Sequence, residues 1–342
     1  MTGQIGIDVG VGSIKIVQVS KEGEKLVLGA IGEAKTPRVD WLKGENKNKA
    51  LVEVGNAIKM LMSDMKIKAS QVVASLPEDE VVSRLVRLPP LKDSEIKDAL
   101  QFEAETFVPY PLNEVSIDYE ILEQDEGGRV TVYAIAARND LIQSYIKLFK
   151  SVGLELLALE SPAVAIRRTV ASSVSKDAAI LLIDMGEKYS DIVGINKGNV
   201  YFTRAMSVGG DSLTRAISIN LGLDMVSAEE YKKAYGMKAS ELEGKIKNSI
   251  LPVFANMAEE IRRALASFRE DQGKAVDLLV LSGGGANLPG LAEELTRLLG
   301  VEVQVMQPFI NMDVSRITLP IDLNSEGCRF SLAAGLSLRG LT

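Results

Sequence analysis

Apolar residues alternate with small or polar ones from the start of the chain: Ile5, Ile7 and Val9, then Ile14 and Ile16, then Val17 and Val19 after a shift of phase. A period of two predicts β-strands. Gly10 and Gly12, between the runs, predict a tight turn, and an acid, Asp8, stands two residues before Gly10. The pattern returns in residues 178–207. An apolar strand reaches Asp184, Gly186 follows two residues later, and a polar turn of Glu187, Lys188, Tyr189 and Ser190 leads into a strand through Ile192 and Val193. A second turn at 196–199 matches one at 21–24, and a third strand completes each meander. This recurrence predicts two related domains facing one another.

A third glycine cluster lies in residues 276–300. An unbroken apolar strand gives way to Ser282-Gly283-Gly284-Gly285, then to Leu291, Leu295, Leu298 and Leu299 on one side of a helix. Adjacent glycines allow a bulky group to approach the backbone, or simply make a strand-to-helix turn. The first half also carries an additional block. It reads as a strand at 81–88 and a helix from Ser94 to about Phe107, stopped by Pro109. Strands at 115–122 and 129–137 follow, joined through Asp125-Glu126-Gly127-Gly128, then a helix at 140–152. The Ser94 hydroxyl is expected to cap its helix. The block is a compact β-α-β-β-α insert.

Two familiar phosphate motifs do not fit the opening hairpin. The third glycine of G-x-G-x-x-G would be Lys15, and a strand rather than a helix follows. No G-x-x-x-x-G-K-[ST] occurs. A glycine hairpin can instead aim consecutive backbone N–H groups at an anion; the alternative is an ordinary hairpin with an exposed Asp8. A carboxylate beside phosphates needs a cation between them, and magnesium, which keeps its waters and takes one or two carboxylates, suits that position. A ligand gripped from both halves would meet a carboxylate and a glycine turn from each.

Composition narrows the chemistry further. The 342 residues suffice for two domains with sizeable cores, and 46% hydrophobic with 25% charged residues is ordinary for a globular chain. A net charge of −7 argues against a nucleic-acid partner. No run of 18 apolar residues predicts a spanning helix, and the start of the chain lacks the charged region and apolar core of a signal peptide. Cys328 is the single cysteine, which excludes a disulfide within the chain and points to a reducing cytoplasm. The absence of histidine removes Ser-His-Asp and Cys-His catalysis and histidine metal sites.

The two Asp-Gly hairpins and the late triple glycine, in this order, resemble the actin, Hsp70 and sugar-kinase ATPase superfamily. Residues 157–170 and 330–340 resemble its two connecting helices, with Ala163 and Ala165 able to cross closely against Ala333, Ala334 and Gly335. The insert resembles the extra subdomain of FtsA, the actin-like cell-division protein. Residues 102–122 are closer still to the PilM family, the actin-like proteins of type IV pilus assembly, and residues 209–236 resemble both PilM and FtsA. The resemblance implies an α/β actin-like ATPase fold with an FtsA-type subdomain. Its expected parts are a first domain at 1–172 with the insert at 79–152, a second at 173–324 with a helical subdomain at 211–273, and a C-terminal helix at 325–342 returning to the first.

Roles follow from the resemblance. Asp8 and Asp184 would hold magnesium, mostly through water. Gly10, Val11, Gly12 and Ser13, with Gly186, Glu187, Lys188, Tyr189 and Ser190, would hold the β- and γ-phosphates of ATP or ADP. Lys15 would approach the phosphates or lie solvated on its strand. Gly209 and Gly210 open the element that carries Glu229 and Lys232, which would meet ribose and adenine or form an exposed helical ion pair. Gly283, Gly284 and Gly285 would pass close to the adenosine and α-phosphate. Hydrolytic relatives often carry a Glu just before the connecting-helix proline, orienting water against the γ-phosphate. Here Ser161 stands there and Glu160 is one residue back, turned by about 100° on a helix, so nucleotide binding is implied and hydrolysis is left open.

The resemblance implies a cytoplasmic scaffold that reaches the inner membrane through the N-terminal tail of a PilN-like protein. It also admits pilus motor ATPases as partners and self-association as a homo-oligomer. Exposed Arg84 and Arg87 are the expected partner contacts. The rivals are an FtsA-like division filament, whose C-terminal membrane helix is not expected after residues 336–342, and a small-molecule kinase of the same superfamily.

Overall fold

The computed structural model describes residues 4–43, 46–171, 174–175 and 177–341. The chain opens with β1 (Ile5–Val9), β2 (Ser13–Glu22) and β3 (Lys25–Lys35), an antiparallel meander. Helix α1 (Lys47–Asp64) leads to β4 (Gln71–Ser75), parallel to β1. The insert follows as β5 (Val81–Pro90), α2 (Asp93–Ala104), β6 (Val115–Gln124) and β7 (Arg129–Arg138). Then come α3 (Asn139–Val152), β8 (Glu155–Glu160), parallel to β4, and α4 (Pro162–Ala171).

The second half repeats the plan. β9 (Ile180–Met185), β10 (Ser190–Asn196) and β11 (Asn199–Met206) form the meander. Helices α5 (Gly210–Leu221), α6 (Met225–Tyr235) and α7 (Lys245–Gln272) follow, then β12 (Leu278–Ser282), α8 (Leu291–Leu299) and β13 (Val303–Val305). The chain returns through β14 (Met312–Asp313), which joins the β3 edge of the first sheet, to α9 (Leu323–Glu326) and α10 (Ser331–Ser337). The strand orders β3-β2-β1-β4-β8 and β11-β10-β9-β12-β13 are the same arrangement written twice.

Both large sheets are covered on their two faces, as parallel pairing demands. In β2, Ile14 and Ile16 pack toward α1 and α3, whereas Val17 and Val19 pack with Phe330, Ala333 and Ala334 at the other face. The insert forms its own sheet, ordered β5-β7-β6. Its core joins Val86, Leu88, Val130 and Val132 to Ile96 and Leu100 of α2.

Several sequence expectations change here. Helix α3, expected as part of the insert, packs its Leu141, Tyr145, Leu148 and Phe149 in the first-half core with Ile5 and Ile7. Helix α2 stops at Ala104, where Thr106 and Phe107 turn back onto Glu103 and Ala104. Its cap is not Ser94: Glu95 accepts from the Lys92 N–H at 2.9 Å, and Ser94 lies inside the first turn. The expected boundary at 172/173 falls outside the described residues. Among those described, no helix is long and apolar enough to cross a membrane.

The two halves meet along α4 and α10, and the crossing is set by missing side chains. A methyl added at Gly335 would overlap the Ala165 carbonyl, and one at Gly6 would overlap the Ala333 carbonyl. Backbone packs directly on backbone, with Ala165, Val73 and Leu336 filling the remaining space. Neither neighbour is a flexible side-chain end that can move aside. Gly335→Val is therefore expected to cost about 1–3 kcal/mol as overpacking. Urea unfolding checks this; an unchanged midpoint would show that the joint is looser than described.

Candidate functional site

The hairpin turns of the two halves have the same geometry. The Gly10 N–H donates to the Ser13 carbonyl at 3.1 Å, and the Gly186 N–H donates to the Tyr189 carbonyl at 3.0 Å. They face one another across a cleft: a methyl at Gly12 would overlap the Glu187 carboxylate. The second turn is anchored from behind by the start of α5. There Gly210 donates to the Gly186 carbonyl at 3.0 Å and Asp211 to the Glu187 carbonyl at 2.8 Å. Any side chain at Gly209 would collide with the Glu187 and Lys188 backbone. Ser190 is buried and donates to the Val208 carbonyl at 2.6 Å, while Lys188 and Tyr189 are exposed and so is Val11 of the first turn.

The triple glycine lies beside the second carboxylate. Ser282 is the register partner of Asp184. Gly283 has a φ of 78°, and a Cβ there would stand 2.8 Å from an Asp184 oxygen. Gly285 is pressed against the Met185 side chain. Gly284 has nothing within 4 Å of its would-be Cβ, so the loop presents bare backbone to open space.

Charge in the cleft is unbalanced. Asp8 pairs in register with Lys15, but Asp184 pairs with a second acid, Asp191. Lys15 stands 3.9 Å from Asp8 and 3.8 Å from Glu33 and donates to the Ser13 hydroxyl at 2.8 Å. Burial raises the Asp8 pKa; Lys15 opposes the rise and Glu33 adds to it. Asp184 is pushed up to about 6 by burial and by Asp8 across the cleft, against Ser282 and Lys15. Asp191 lies well above the carboxylate range through burial and then the fields of Glu78 and Asp184. Buried like charges take up either protons or a cation. The donors are hard carboxylate oxygens, which fit magnesium. Among the described residues no three acidic or sulfur side chains stand close enough to cage a metal.

The other expected residues divide. Lys232 is buried, not part of an exposed pair. It donates to the Gly210 carbonyl at 2.9 Å and the Thr214 hydroxyl at 2.8 Å, and pairs with Glu229 at 2.7 Å. Burial alone would raise the Glu229 pKa, but Lys232 and Thr214 bring it below the ordinary range. The pair ties α6 to the start of α5, behind the second turn. Glu160 is not free for catalysis: Arg168 holds it through bonds of 2.6 and 2.8 Å, and Arg339 closes on the same carboxylate. It clamps β8, α4 and the segment after α10. Arg84 and Arg87 lie three apart on a strand, hence on opposite faces. Arg84 stacks 5.4 Å from the Phe107 ring, while Arg87 faces Tyr201 of the second half. They do not line one groove.

Two acids escaped the sequence reading. Asp191 was within reach of it, because Lys15 stands seven residues after Asp8 and Asp191 seven after Asp184. Glu78 carried no local signal. Only the folded chain brings it beside the Ser161 and Thr203 hydroxyls, where burial raises its pKa. One Glu78 oxygen, the Tyr133 hydroxyl and the Ser161 hydroxyl are buried near one another there, with no hydrogen bond of good geometry among the described residues. Ser83 and Thr203 join the insert to the second half at 2.7 Å beside them.

Comparison with known proteins bears on this geometry. Residues 6–341 match the model of the family described as type IV pilus assembly protein PilM. A chain of a solved PilM-PilN type IV pilus biogenesis complex is similar with a TM-score of 0.86 and 28% identity, covering 100% of this chain and 99% of that one. Cell division protein FtsA of Enterococcus hirae is 22% identical over 346 residues, covering 89% of this chain and 78% of its own. MreB5 of Spiroplasma citri, solved bound to AMPPNP, has a TM-score of 0.55 at 13% identity, covering 100% of this chain and 96% of that one. The fold is the actin-like ATPase fold.

The raised Asp184 pKa has a consequence for stability. Without a cation the folded chain holds a proton at Asp184 that the unfolded chain, at its ordinary value of 3.8, has released by about pH 6. The stabilising contribution is full below the unfolded value and is lost as pH rises through the folded one. Asp184→Asn keeps a neutral group there at every pH. In chelator, its melting temperature is expected to exceed the wild type's by a few degrees at pH 8 and to equal it near pH 4, as thermal scans at both values would show.

Proposed function

The chain belongs to the type IV pilus assembly protein PilM family, and from that premise we propose that it is a nucleotide-dependent scaffold. The cleft between the two glycine turns takes an adenine nucleotide with magnesium. Asp8 and Asp184 hold the hydrated ion, the turn amides and Lys15 hold the phosphates, and the Gly284 loop admits the nucleoside side. The magnesium ion supplies positive charge between phosphates and carboxylates. The observation that carries this reading is the pair of turns with the same closing hydrogen bond, each two residues after a half-buried acid, facing across one cleft. Hydrolysis is slow or absent without partners, since Ser161 offers no carboxylate and Glu160 is held by two arginines.

The partner is the N-terminal tail of a PilN-like membrane protein, which brings the scaffold to the inner membrane. The match to a chain solved in a PilM-PilN complex supports it. The tail lies between the insert and the first-half core, beside exposed Arg84 where it stacks on Phe107. Arg87, on the opposite face, is not part of this contact.

Polarisation of a fluorescent ATP analogue and of a PilN-like tail peptide, measured side by side, tests both halves of the proposal. Asp184→Ala is expected to abolish most magnesium-dependent nucleotide affinity in a chain that stays folded and still binds peptide. Arg84→Glu is expected to weaken peptide binding severalfold and spare nucleotide, with Arg87→Glu affecting neither. Nucleotide affinity indifferent to Asp184 and to chelator would refute the cleft assignment; peptide affinity unmoved by Arg84→Glu would refute the groove.

A further inference from the structure

The side chain of Glu187 leaves the second glycine turn and crosses the cleft to the first. One of its oxygens lies so close over Gly12 that a methyl group there would overlap it. The crossing is not the accident of a loose loop. The Glu187 carbonyl accepts from Asp211 at 2.8 Å, the neighbouring Gly186 carbonyl accepts from Gly210 at 3.0 Å, and Gly209 packs against the same backbone. Yet the carboxylate itself has no hydrogen bond or ion pair among the described residues. Lys15, on the facing hairpin, is already engaged by Ser13, Asp8 and Glu33. A carboxylate without an ion-pair partner among the described residues thus stands between the two turns.

From this placement we infer that Glu187 sets how many phosphates the cleft accepts, by penalising the outermost phosphate of a triphosphate relative to a diphosphate. The inference rests on the nucleotide reading above and refines it. The inner phosphates can use the turn amides and the hydrated cation without meeting Glu187. The outermost phosphate must lie between the turns, and there it meets a negative charge at contact range. It either displaces the side chain or binds against its field. Neither cost falls on a diphosphate.

Calorimetric titration of the full chain with Mg-ADP and Mg-ATP tests this. The proteins are wild type, Glu187→Gln, which removes the charge and keeps the volume, and Glu187→Ala, which removes both. The substitutions lie at an exposed position, so folding is not at stake. Each variant is expected to bind Mg-ATP about fivefold tighter or more, the size of one unit-charge repulsion at contact range in water, and Mg-ADP by less than about twofold. Equal changes for both nucleotides would overturn the inference and leave the nucleotide reading intact. Weaker Mg-ATP binding by Glu187→Gln would overturn it too, because the carboxylate would then be helping to hold the cation. Absence of any nucleotide binding by all three proteins would overturn the nucleotide reading and this inference together.

Discussion

Two hairpins each bring a half-buried carboxylate to the same cleft, and the described residues supply too little positive charge to balance them. Lys15 is shared among Asp8, Glu33 and Ser13, and it has no counterpart in the second half, where Asp191 takes the equivalent register. Much of the molecule is arranged to keep these groups facing one another. The meanders fix Asp8 and Asp184 at strand ends, Gly283 lets the last glycine loop close against Asp184, and the start of α5 fixes the second turn. A cation with phosphates is the simplest ligand that turns this repulsion into attraction.

The joint between the halves answers to the same constraint from a distance. A cleft that closes on a ligand needs its two walls held in register. The crossing of α4 and α10 does so through backbone packed on backbone at Gly335, and Gly6 of β1 seats α10 in the same way. Glu160 adds an ionic clamp at the same joint, engaging Arg168 and Arg339. The insert is tied to the second half through Ser83 and Thr203, near the buried Glu78 and within the field that Glu78 exerts on Asp191.

How much of this could be read from the sequence depends on how local each cause is. The turns were legible because a glycine, an acid two residues before it and alternating strands all lie within one short stretch. The doubled topology followed from finding that stretch twice. Asp191 was legible in principle, at the same offset of seven that relates Lys15 to Asp8. The opposite faces of Arg84 and Arg87 were also legible, since an odd spacing on a strand separates side chains. Other features have tertiary causes. The arginines on Glu160 come from α4 and the C-terminal end, Glu78 becomes buried only where insert and halves meet, and α3 joins the first-half core because its apolar face fits α1 rather than the insert's sheet. Glu95 won the cap from Ser94 because the helix starts a residue earlier, putting the Lys92 amide within its reach.

The central claim is that both turns hold one nucleotide together. Hydrogen exchange of the backbone amides, followed with and without Mg-ADP or Mg-ATP, addresses it directly because the amides themselves are the proposed ligands. The account requires that residues 10–13 and 186–190 gain protection together, at the same nucleotide concentration, and lose it together when magnesium is chelated. Protection confined to one turn, or a response at neither while nucleotide is bound elsewhere, would contradict it.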